Sequence, residues 1–310
     1  MIKNSHPHIP ILLIGGPTAS GKSKLALSLA QKNNGVILNG DSMQTYKDLP
    51  ILTAQPSTLE QQDIPHELYG ILPGNHLYSV AHWQTRALNA IENAWKQGKQ
   101  PIVVGGSGLY LQSLTLGLSK IPDVPESIRT WVRQHYETLG NKEFHQYLTS
   151  IDSQMSKRLH ENDKQRMMRA AEVKLATSRS LAHWQKQRNH DAVKHLKCKM
   201  IVLLPPRTQL HQNSELRLNQ MITNGAIEEV RALKDKNLDE NLPIMKALGV
   251  NELSAYLDNK LNLQEATQQT LQATRQYIKR QSTWFCNQFP QAQFVSSYPV
   301  PHIWGVDGEQ

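Results

Sequence analysis

The chain has few cysteines, few aromatic residues and no long apolar run. Its 310 residues contain two cysteines, Cys198 and Cys286, which lie far apart and lack the spacing of metal ligands. This excludes a disulfide framework and a zinc site, and it predicts a reducing compartment. No apolar run approaches the length of a membrane span, and the N-terminus lacks a signal-peptide pattern. We therefore expect a cytoplasmic protein with one large or two modest domains and no membrane partner.

Acidic residues are too few to balance the basic ones. The chain has 34 Lys and Arg against 26 Asp and Glu, a net charge of +8. Residues 120–199 carry a net +7, whereas residues 1–119 carry +2 and residues 200–310 carry −1. A basic segment of this kind is typical of a polyanion-binding module, most often for nucleic acid. A solvated, lysine-rich helical surface would give the same charge, so both interpretations stay open.

A glycine-rich octapeptide follows the apolar run Ile11–Ile14. Its residues fit the P-loop pattern G-x-x-x-x-G-K-[ST] and are Gly16, Pro17, Thr18, Ala19, Ser20, Gly21, Lys22 and Ser23. Backbone N–H groups of such a loop surround a phosphate group, the lysine adds a positive charge, and the serine hydroxyl can ligate Mg²⁺. A strand-like segment before the loop and helix-favouring residues after it support this interpretation. The protein is therefore expected to bind a diphosphate or triphosphate.

The first third of the chain predicts an α/β fold. The strand candidates are Ile9–Gly15, Val36–Asn39 and Pro101–Gly105, and a helical stretch runs from Ser79 to Gln97. Strands that alternate with helices imply a parallel sheet. We expect a P-loop NTPase-like core with a parallel sheet flanked by helices, which binds its ligand at the carboxyl ends of the strands.

The middle of the chain differs from the segments on either side. Residues 120–199 are polar, helical and basic, and strand character returns at Met200–Leu204. Helices are predicted at about 208–223, 225–236, 249–257 and 263–288. We therefore expect an inserted basic, all-helical domain at 120–199 within a core formed by 1–119 and 200–295. Residues 296–310 have little periodicity and are expected to form a mobile tail.

Two strand ends carry candidate functional groups. Asp41 follows the second strand, where its carboxylate can hold Mg²⁺ through water, accept a proton, or cap a turn. Position alone does not choose between these roles. The segment Gly105–Gly108 ends the third strand and offers the hydroxyl of Ser107, although a plain turn gives the same pattern.

Arginines and lysines on three helices are further candidates. Arg217 can neutralise a diphosphate. Arg166 and Arg169 share one helix face by spacing, as do Arg275 and Lys279. On the bare sequence, a solvated helix face is the commoner explanation for Arg217, Arg275 and Lys279.

Five segments, in this order, resemble the tRNA dimethylallyltransferase family, and the resemblance spans about residues 10–290. The segments are the P-loop Gly16–Ser23, Asp41-Ser42-Met43-Gln44-x-Tyr46, Val104-Gly105-Gly106-Ser107-Gly108-Leu109-Tyr110, Asn162-Asp163-x-x-Arg166-x-x-Arg169-Ala170, and Ala273-Thr274-Arg275-Gln276-Tyr277-x-Lys279-Arg280-Gln281-x-Thr283-Trp284. Many nucleotide enzymes share the first segment, whereas all five together are highly specific.

The resemblance implies transfer of a dimethylallyl group from dimethylallyl diphosphate to N6 of adenosine 37, just 3′ of the anticodon of tRNA. The P-loop would hold the diphosphate with Mg²⁺ as cofactor, rather than ATP, and Ser23 would be the metal ligand. Asp41 would be the general base, with Thr18, Ser107 and Arg217 as the other catalytic residues. A monomer that grips the anticodon stem-loop through its basic insertion is expected.

The resemblance also implies a set of residues that contact tRNA. They are Asp41, Ser42, Met43, Gln44, Ser107, Arg129, Gln165, Arg166, Met167, Met168, Arg169, Lys246, Ala247, Leu248, Gly249, Val250, Asn251, Arg275 and Lys279.

Three other functions stay open at this point. A small-molecule kinase could use ATP on the same P-loop, but it would not need the basic insertion. An isopentenyltransferase that acts on free AMP, ADP or ATP would not need Arg166 and Arg169. A non-catalytic RNA-binding regulator would not need the intact set of Lys22, Ser23 and Asp41.

Overall fold

The computed structural model describes residues 9–297, without the side chains of Gln62 and Arg188. Apart from its first two residues, the expected mobile tail at 296–310 lies outside the described residues. The chain forms two compact units. The first ends at Thr115 and resumes at Leu196, and the second is the continuous segment Leu116–His195. The expected insertion, 120–199, is displaced by four residues at each end relative to this second unit.

The structure assigns strands and helices throughout the described residues. The strands are β1 Ile11–Gly15, β2 Gly35–Asn39, β3 His66–Glu67, β4 Gln100–Gly105, β5 Leu118–Ser119, β6 Arg188–Asn189, β7 Cys198–Leu203 and β8 Gln293–Val295. The helices are α1 Lys22–Lys32, α2 Thr58–Asp63, α3 Val80–Lys96, α4 Gly108–Leu116, α5 Glu126–Ile151, α6 Ser153–Ser156, α7 Lys164–Thr177, α8 Leu181–Lys186, α9 Arg207–Thr223, α10 Ala226–Lys234, α11 Val250–Leu257 and α12 Leu263–Gln288. Short 3₁₀ turns occupy Met43–Thr45 and Pro243–Lys246.

Six strands of the first unit form a parallel sheet in the order β3-β2-β4-β1-β7-β8. The predicted α/β class and parallel sheet are therefore confirmed. Because all six strands run the same way, the carboxyl ends of β1, β2, β4 and β7 lie at one edge. That edge carries the P-loop, the segment after Asn39 and the turn after Gly105.

Helices cover both faces of this sheet. Along β1, Ile11 and Leu13 pack against α3, α4 and α12, whereas Leu12 and Ile14 pack against α1 on the other face. A strand buried on both faces explains why β1 is apolar at every position rather than at alternate ones. A third apolar cluster joins the segment after β2 to α10, α11 and the start of α12.

The second unit has its own hydrophobic core, formed by α5, α6, α7 and α8. It is not all-helical, because Leu118 and Ser119 pair antiparallel with Asn189 and Arg188. The two strands lie near the two ends of this unit, so chain entry and exit are joined by backbone hydrogen bonds. Gly140 has a φ of 75° within α5, and this non-helical conformation kinks the helix. Within residues 9–297, no helix is both long and apolar enough to span a membrane.

Candidate active site

The P-loop follows β1 at the carboxyl edge of the sheet. Gly16 has φ +148°, and a Cβ at this position would collide with the carbonyl oxygen of Leu203. Only glycine therefore allows the chain to turn here. Gly21 is the N-cap of α1, so the free N–H groups and the positive dipole end of that helix face the loop and favour an anion.

Two side chains hold the loop in its shape. Lys22 Nζ donates to the carbonyl of Pro17 at 3.1 Å, and Asn213 Nδ2 on α9 donates to the carbonyl of Ala19 at 3.2 Å. The second contact ties the loop to an element almost 200 residues later in the chain. Both bonds occupy carbonyl oxygens of the loop, and a third carbonyl contact joins the Ser20 N–H to Pro17 at 3.3 Å.

Helix α12 reaches the loop through Gln281. This residue is 5% exposed. Its Oε1 accepts the N–H of Thr18 at 2.9 Å, and its Nε2 donates to the carbonyl of Gly106 at 2.9 Å. One amide therefore joins the loops that follow β1 and β4.

Asp41 is positioned by the fully buried side chain of Asn39. Asn39 Oδ1 accepts the N–H of Asp41 at 2.8 Å, and Asn39 Nδ2 donates to the Asp41 carbonyl at 2.9 Å and to that of Leu68 at 3.1 Å. The Asp41 carboxylate turns back on its own segment, because Oδ1 accepts the N–H of Met43 at 3.0 Å. Asp41 is thus held through both its backbone and its side chain.

Ser107, expected to be catalytic, forms hydrogen bonds with Ser42. Its Oγ accepts the N–H of Ser42 at 2.9 Å and donates to the Ser42 hydroxyl at 3.2 Å. It does not line the cavity described next. Ser107 therefore braces the segment that carries Asp41.

The P-loop, the segment after β2, α9, α12 and the turn before α11 enclose a cavity of about 310 Å³ within the first unit. Its polar wall residues are Thr18, Lys22, Ser23, Asp41, Ser42, Gln44, Thr53, Tyr69, Ser214, Arg217, Lys246, Thr270, Thr274, Tyr277, Arg280 and Gln281. Its apolar wall residues are Ala19, Met43, Leu52, Val104, Leu218, Met221, Ala247 and Leu248. A pocket that combines apolar wall residues with several convergent charged groups suits a small polar ligand.

Lys22, Asp41 and Arg217 interact electrostatically in this cavity. Burial lowers the pKa of Lys22 to about 8, the charge of Asp41 opposes this shift, and Arg217 adds to it. Burial also lowers the pKa of Arg217, again opposed by Asp41. Among the described residues that line this cavity, Asp41 is the only carboxylate beside these two partly desolvated cations. A bound anion with two or more charges would relieve their repulsion.

Tyr69 and Tyr277 add hydroxyl groups to the same wall. Burial raises the pKa of both side chains, and the nearby charge of Asp41 raises it further. Both are therefore neutral hydrogen-bonding groups near neutral pH. The guanidinium of Arg280 lies over the Tyr277 ring, with Cζ 5.6 Å from the ring centroid.

A second cavity of about 540 Å³ adjoins the first. Seven residues line both, namely Ala19, Lys22, Ser23, Gln44, Tyr69, Val104 and Arg217. Lys22 and Arg217 therefore border both cavities.

The structure brings many of the sequence-predicted residues together. Those on the wall of the first cavity are Thr18, Ala19, Lys22, Ser23, Asp41, Ser42, Met43, Gln44, Arg217, Lys246, Ala247 and Leu248. Ser20 and Gly21 line the second cavity. Arg275 and Lys279 are exposed on α12 and line neither cavity. Arg275 Nη2 lies 3.9 Å from Glu215 Oε2.

Two side chains expected to contact tRNA are buried in hydrophobic cores. Met167 is 0% exposed in the core of the second unit, and Val250, the first residue of α11, is 1% exposed. Their side chains have almost no exposed surface, so the expected tRNA contact of these two residues stays a prediction that the side chains as placed do not support. Their neighbours Arg166 and Asn251 are exposed, as expected of amphipathic helices.

The basic side chains of the second unit make short-range ion pairs. Arg166 Nη1 lies 3.4 Å from Asp163 Oδ2, and Arg169 Nη1 lies 3.2 Å from Glu172 Oε2. Arg129 Nη1 lies 3.8 Å from a carboxylate one turn away, and its buried Nε has no partner among the described residues. Arg166 is exposed, whereas Arg129 and Arg169 are half-buried. An exposed pair such as that of Arg166 is weak, so this arginine remains available to an external anion.

Sequence reasoning missed a polar stripe on α12. Thr270, Thr274, Tyr277 and Gln281 recur at intervals of four, three and four residues and all line the cavity. This spacing marks one helix face. The spacing is visible in the sequence, whereas the charges of this helix point to Arg275 and Lys279, which lie on other faces.

A metal ion would find few protein ligands here. Within residues 9–297, no group of three or more His, Cys, Asp or Glu side chains could hold one. The oxygens that fit Mg²⁺ are the Ser23 hydroxyl and the Asp41 carboxylate on the cavity wall. Mg²⁺ commonly takes one or two protein oxygens and completes its shell with water and substrate phosphates, so this donor set fits an ion held mainly by a diphosphate.

Comparisons with known proteins match nearly the whole chain. The IPP transferase family model matches residues 44–288, and an isopentenyl transferase model matches residues 9–68. The chain is 46% identical over 284 residues to the tRNA dimethylallyltransferase of Rhodospirillum centenum, covering 92% of this chain and 90% of that relative. It is 42% identical to the Ehrlichia canis tRNA dimethylallyltransferase, covering 93% of this chain and 95% of the relative.

Solved structures agree with the sequence comparisons. The full-length tRNA isopentenylpyrophosphate transferase of Bacillus halodurans matches with a TM-score of 0.66 and 30% identity, over 93% of this chain and 90% of that one. A eukaryotic dimethylallyltransferase captured acting on tRNA matches with a TM-score of 0.75 and 28% identity, over 93% and 73%. The chain therefore belongs to the IPP transferase family, together with these tRNA dimethylallyltransferases.

Proposed function

We propose that this protein transfers a dimethylallyl group from dimethylallyl diphosphate to N6 of adenosine 37 in tRNA and releases diphosphate. The observation that carries the proposal is the convergence of Lys22, Arg217 and Asp41 on one cavity. Two cations suit a leaving diphosphate, and a carboxylate suits an amine that must lose a proton. The relatives named above, which are tRNA dimethylallyltransferases, support the choice of substrates.

The cationic side of the cavity would bind the leaving group. As the bond between the allylic carbon and its oxygen breaks, negative charge grows on the diphosphate. Lys22, Arg217 and the N–H groups at the start of α1 would stabilise that charge, and they would bind the transition state more tightly than the substrate. Apolar wall residues such as Leu218 and Met221 suit the five-carbon group.

The carboxylate side would activate the nucleophile. The N6 amino group of adenine is weakly nucleophilic because its lone pair is delocalised into the ring. As the bond from N6 to the allylic carbon forms, one N6 proton would pass to a carboxylate oxygen of Asp41. The bonding at Asn39 and Met43 described above holds that carboxylate in one orientation. The products are prenylated tRNA, diphosphate and one proton.

Mg²⁺ is part of this proposal as a cofactor. Ser23 would contribute the protein oxygen, and the ion would neutralise charge on the diphosphate. The steps assigned to Lys22, Arg217 and Asp41 do not otherwise depend on it.

The proposed binding of tRNA is supported by the charge and the exposure of basic side chains. Adenosine 37 is normally stacked in the anticodon loop, so it must turn outward to enter a cavity. Lys246 on the cavity wall and the exposed arginines of the second unit would bind the phosphates of the loop and stem. A cytoplasmic location and a monomeric state stay predictions of this proposal.

The test offers the protein unmodified tRNA, free AMP or a small-molecule acceptor, with either dimethylallyl diphosphate or ATP. We expect prenyl incorporation into tRNA alone. Phosphoryl transfer from ATP would favour a kinase, and prenylation of AMP would favour the free-nucleotide enzyme. Asp41→Asn keeps the oxygen that accepts from Met43 but loses the charge. It should lower kcat by about 10²- to 10⁴-fold at similar tRNA affinity, and a fully active variant would refute the base assignment.

A further inference from the structure

Gln281 touches both loops of the site, yet the proposed function gives it no role. We propose that Gln281 is a positioning residue that fixes the P-loop and the turn after β4 relative to Asp41, so that diphosphate and base are aligned for transfer. This inference rests on the proposed function and adds a residue to it.

The hydrogen bonds of Gln281 require an amide. Its Oε1 accepts from the N–H of Thr18 and its Nε2 donates to the carbonyl of Gly106, both at 2.9 Å. A carboxylate can accept but not donate, and an apolar side chain can do neither. Because Gln281 is buried, water cannot easily replace either bond, and removal of the amide would leave two backbone groups unpaired.

These bonds join segments that are remote in sequence. They connect α12 to Thr18, which is 263 positions earlier in the chain, and to Gly106, which is 175 positions earlier. The Thr18 N–H is a P-loop amide, and its bond to Gln281 keeps it off the ligand. That bond therefore sets how the loop presents its other amides.

The Gly106 contact places Gln281 beside the base. A Cβ at Gly106 would collide with Gln281 Nε2 and would lie 3.2 Å from Asp41 Oδ2. The amide and the carboxylate thus approach the same side of one glycine, which has room for both only because it lacks a side chain. A shift of the Gln281 amide would therefore change the surroundings of Asp41 as well as the position of the P-loop.

The first test is Gln281→Met, which keeps side-chain size but removes the amide. The matched control is Gln112→Met. Gln112 is also 5% exposed, and its Nε2 donates to Gln288 Oε1 on α12 at 2.9 Å, away from both cavities. We expect Gln281→Met to lower kcat for tRNA prenylation by about 10- to 100-fold, with KM for tRNA within about twofold of wild type. The control should keep wild-type kcat.

The second test displaces the amide without removing it. Gly106→Ala would push the Gln281 amide aside and disturb its bonds to Thr18 and Gly106, and it should give a similar loss in kcat. Wild-type kcat in Gln281→Met, or a loss no larger than that of Gln112→Met, would overturn the proposal. If Gln281→Met does not fold, Gly106→Ala decides, and wild-type kcat there would overturn it. Failure of the proposed function is distinct, since the wild-type protein would then not prenylate tRNA at all.

Discussion

Diphosphate binding should weaken above pH 8 because Lys22 loses its charge there. Burial disfavours the ammonium and lowers the pKa of Lys22 to about 8. From this value, Lys22 is about nine-tenths protonated at pH 7, about half at pH 8 and about one-tenth at pH 9. The charged form attracts the diphosphate and the neutral amine does not.

The expected change in Kd with pH follows from proton linkage. Because the ligand binds the protonated form, affinity should be constant well below pH 8 and fall as the pH rises through that value. The Kd at pH 9 should be about tenfold higher than at pH 7. The bound anion raises the pKa of Lys22 in the complex, so binding above pH 8 should take up a proton.

Two substitutions should move this transition in opposite directions. The charge of Asp41 raises the pKa of Lys22, and Arg217 lowers it. Asp41→Asn should therefore move the midpoint to lower pH, and Arg217→Gln should move it to higher pH. Lys22→Arg keeps its charge at every pH of interest, so its affinity should not show the transition.

Titration calorimetry with a non-reactive analogue of dimethylallyl diphosphate, from about pH 7 to about pH 9.5, measures the Kd and the proton uptake together. The Lys22→Arg profile corrects for ionisation of the ligand itself. A wild-type Kd that stays constant across this range would refute the argument. So would midpoints that move the same way in Asp41→Asn and Arg217→Gln.

Three further predictions concern rate, stability and RNA binding. Arg217→Gln should lower kcat by about 10²- to 10³-fold through loss of a group that stabilises the leaving diphosphate, and single-turnover kinetics with saturating substrates would test this. Asn39→Leu leaves the backbone of Asp41 without its buried partners and should lower the free energy of unfolding by about 2 to 4 kcal/mol; a urea midpoint equal to wild type would contradict it. Arg166→Ala combined with Arg169→Ala should weaken tRNA binding and reduce the slope of log K against log salt by about one to two, whereas an unchanged slope would remove these residues from the RNA contact.

The strongest sequence signals came from residues that are close in the chain. The P-loop, β1 and α1 are contiguous, β2 ends at Asn39 just before Asp41, and β4 ends at Gly105. A parallel sheet then brings these ends together by its topology alone. This is why the α/β class and much of the cavity wall can be predicted from the sequence.

Other features depend on contacts that no local pattern contains. β3 and β8 are only two and three residues long, and they are strands because neighbouring strands pair with them. Tyr69 and Gln281 reach the cavity from segments whose placement depends on the whole sheet. Met167 lies in a segment predicted to contact tRNA, yet its side chain is buried, because a position within a segment does not reveal which way its side chain points.

The central claim is that the diphosphate held by the P-loop leaves as one group while the dimethylallyl group is transferred to RNA. The most direct measurement is the stoichiometry of a reaction with unmodified tRNA and dimethylallyl diphosphate, counting diphosphate released and N6-isopentenyladenosine recovered from the digested tRNA. The account predicts equal amounts, with the modified base at the position just 3′ of the anticodon. Release of orthophosphate, phosphorylated product, or diphosphate without prenylated adenosine would contradict it.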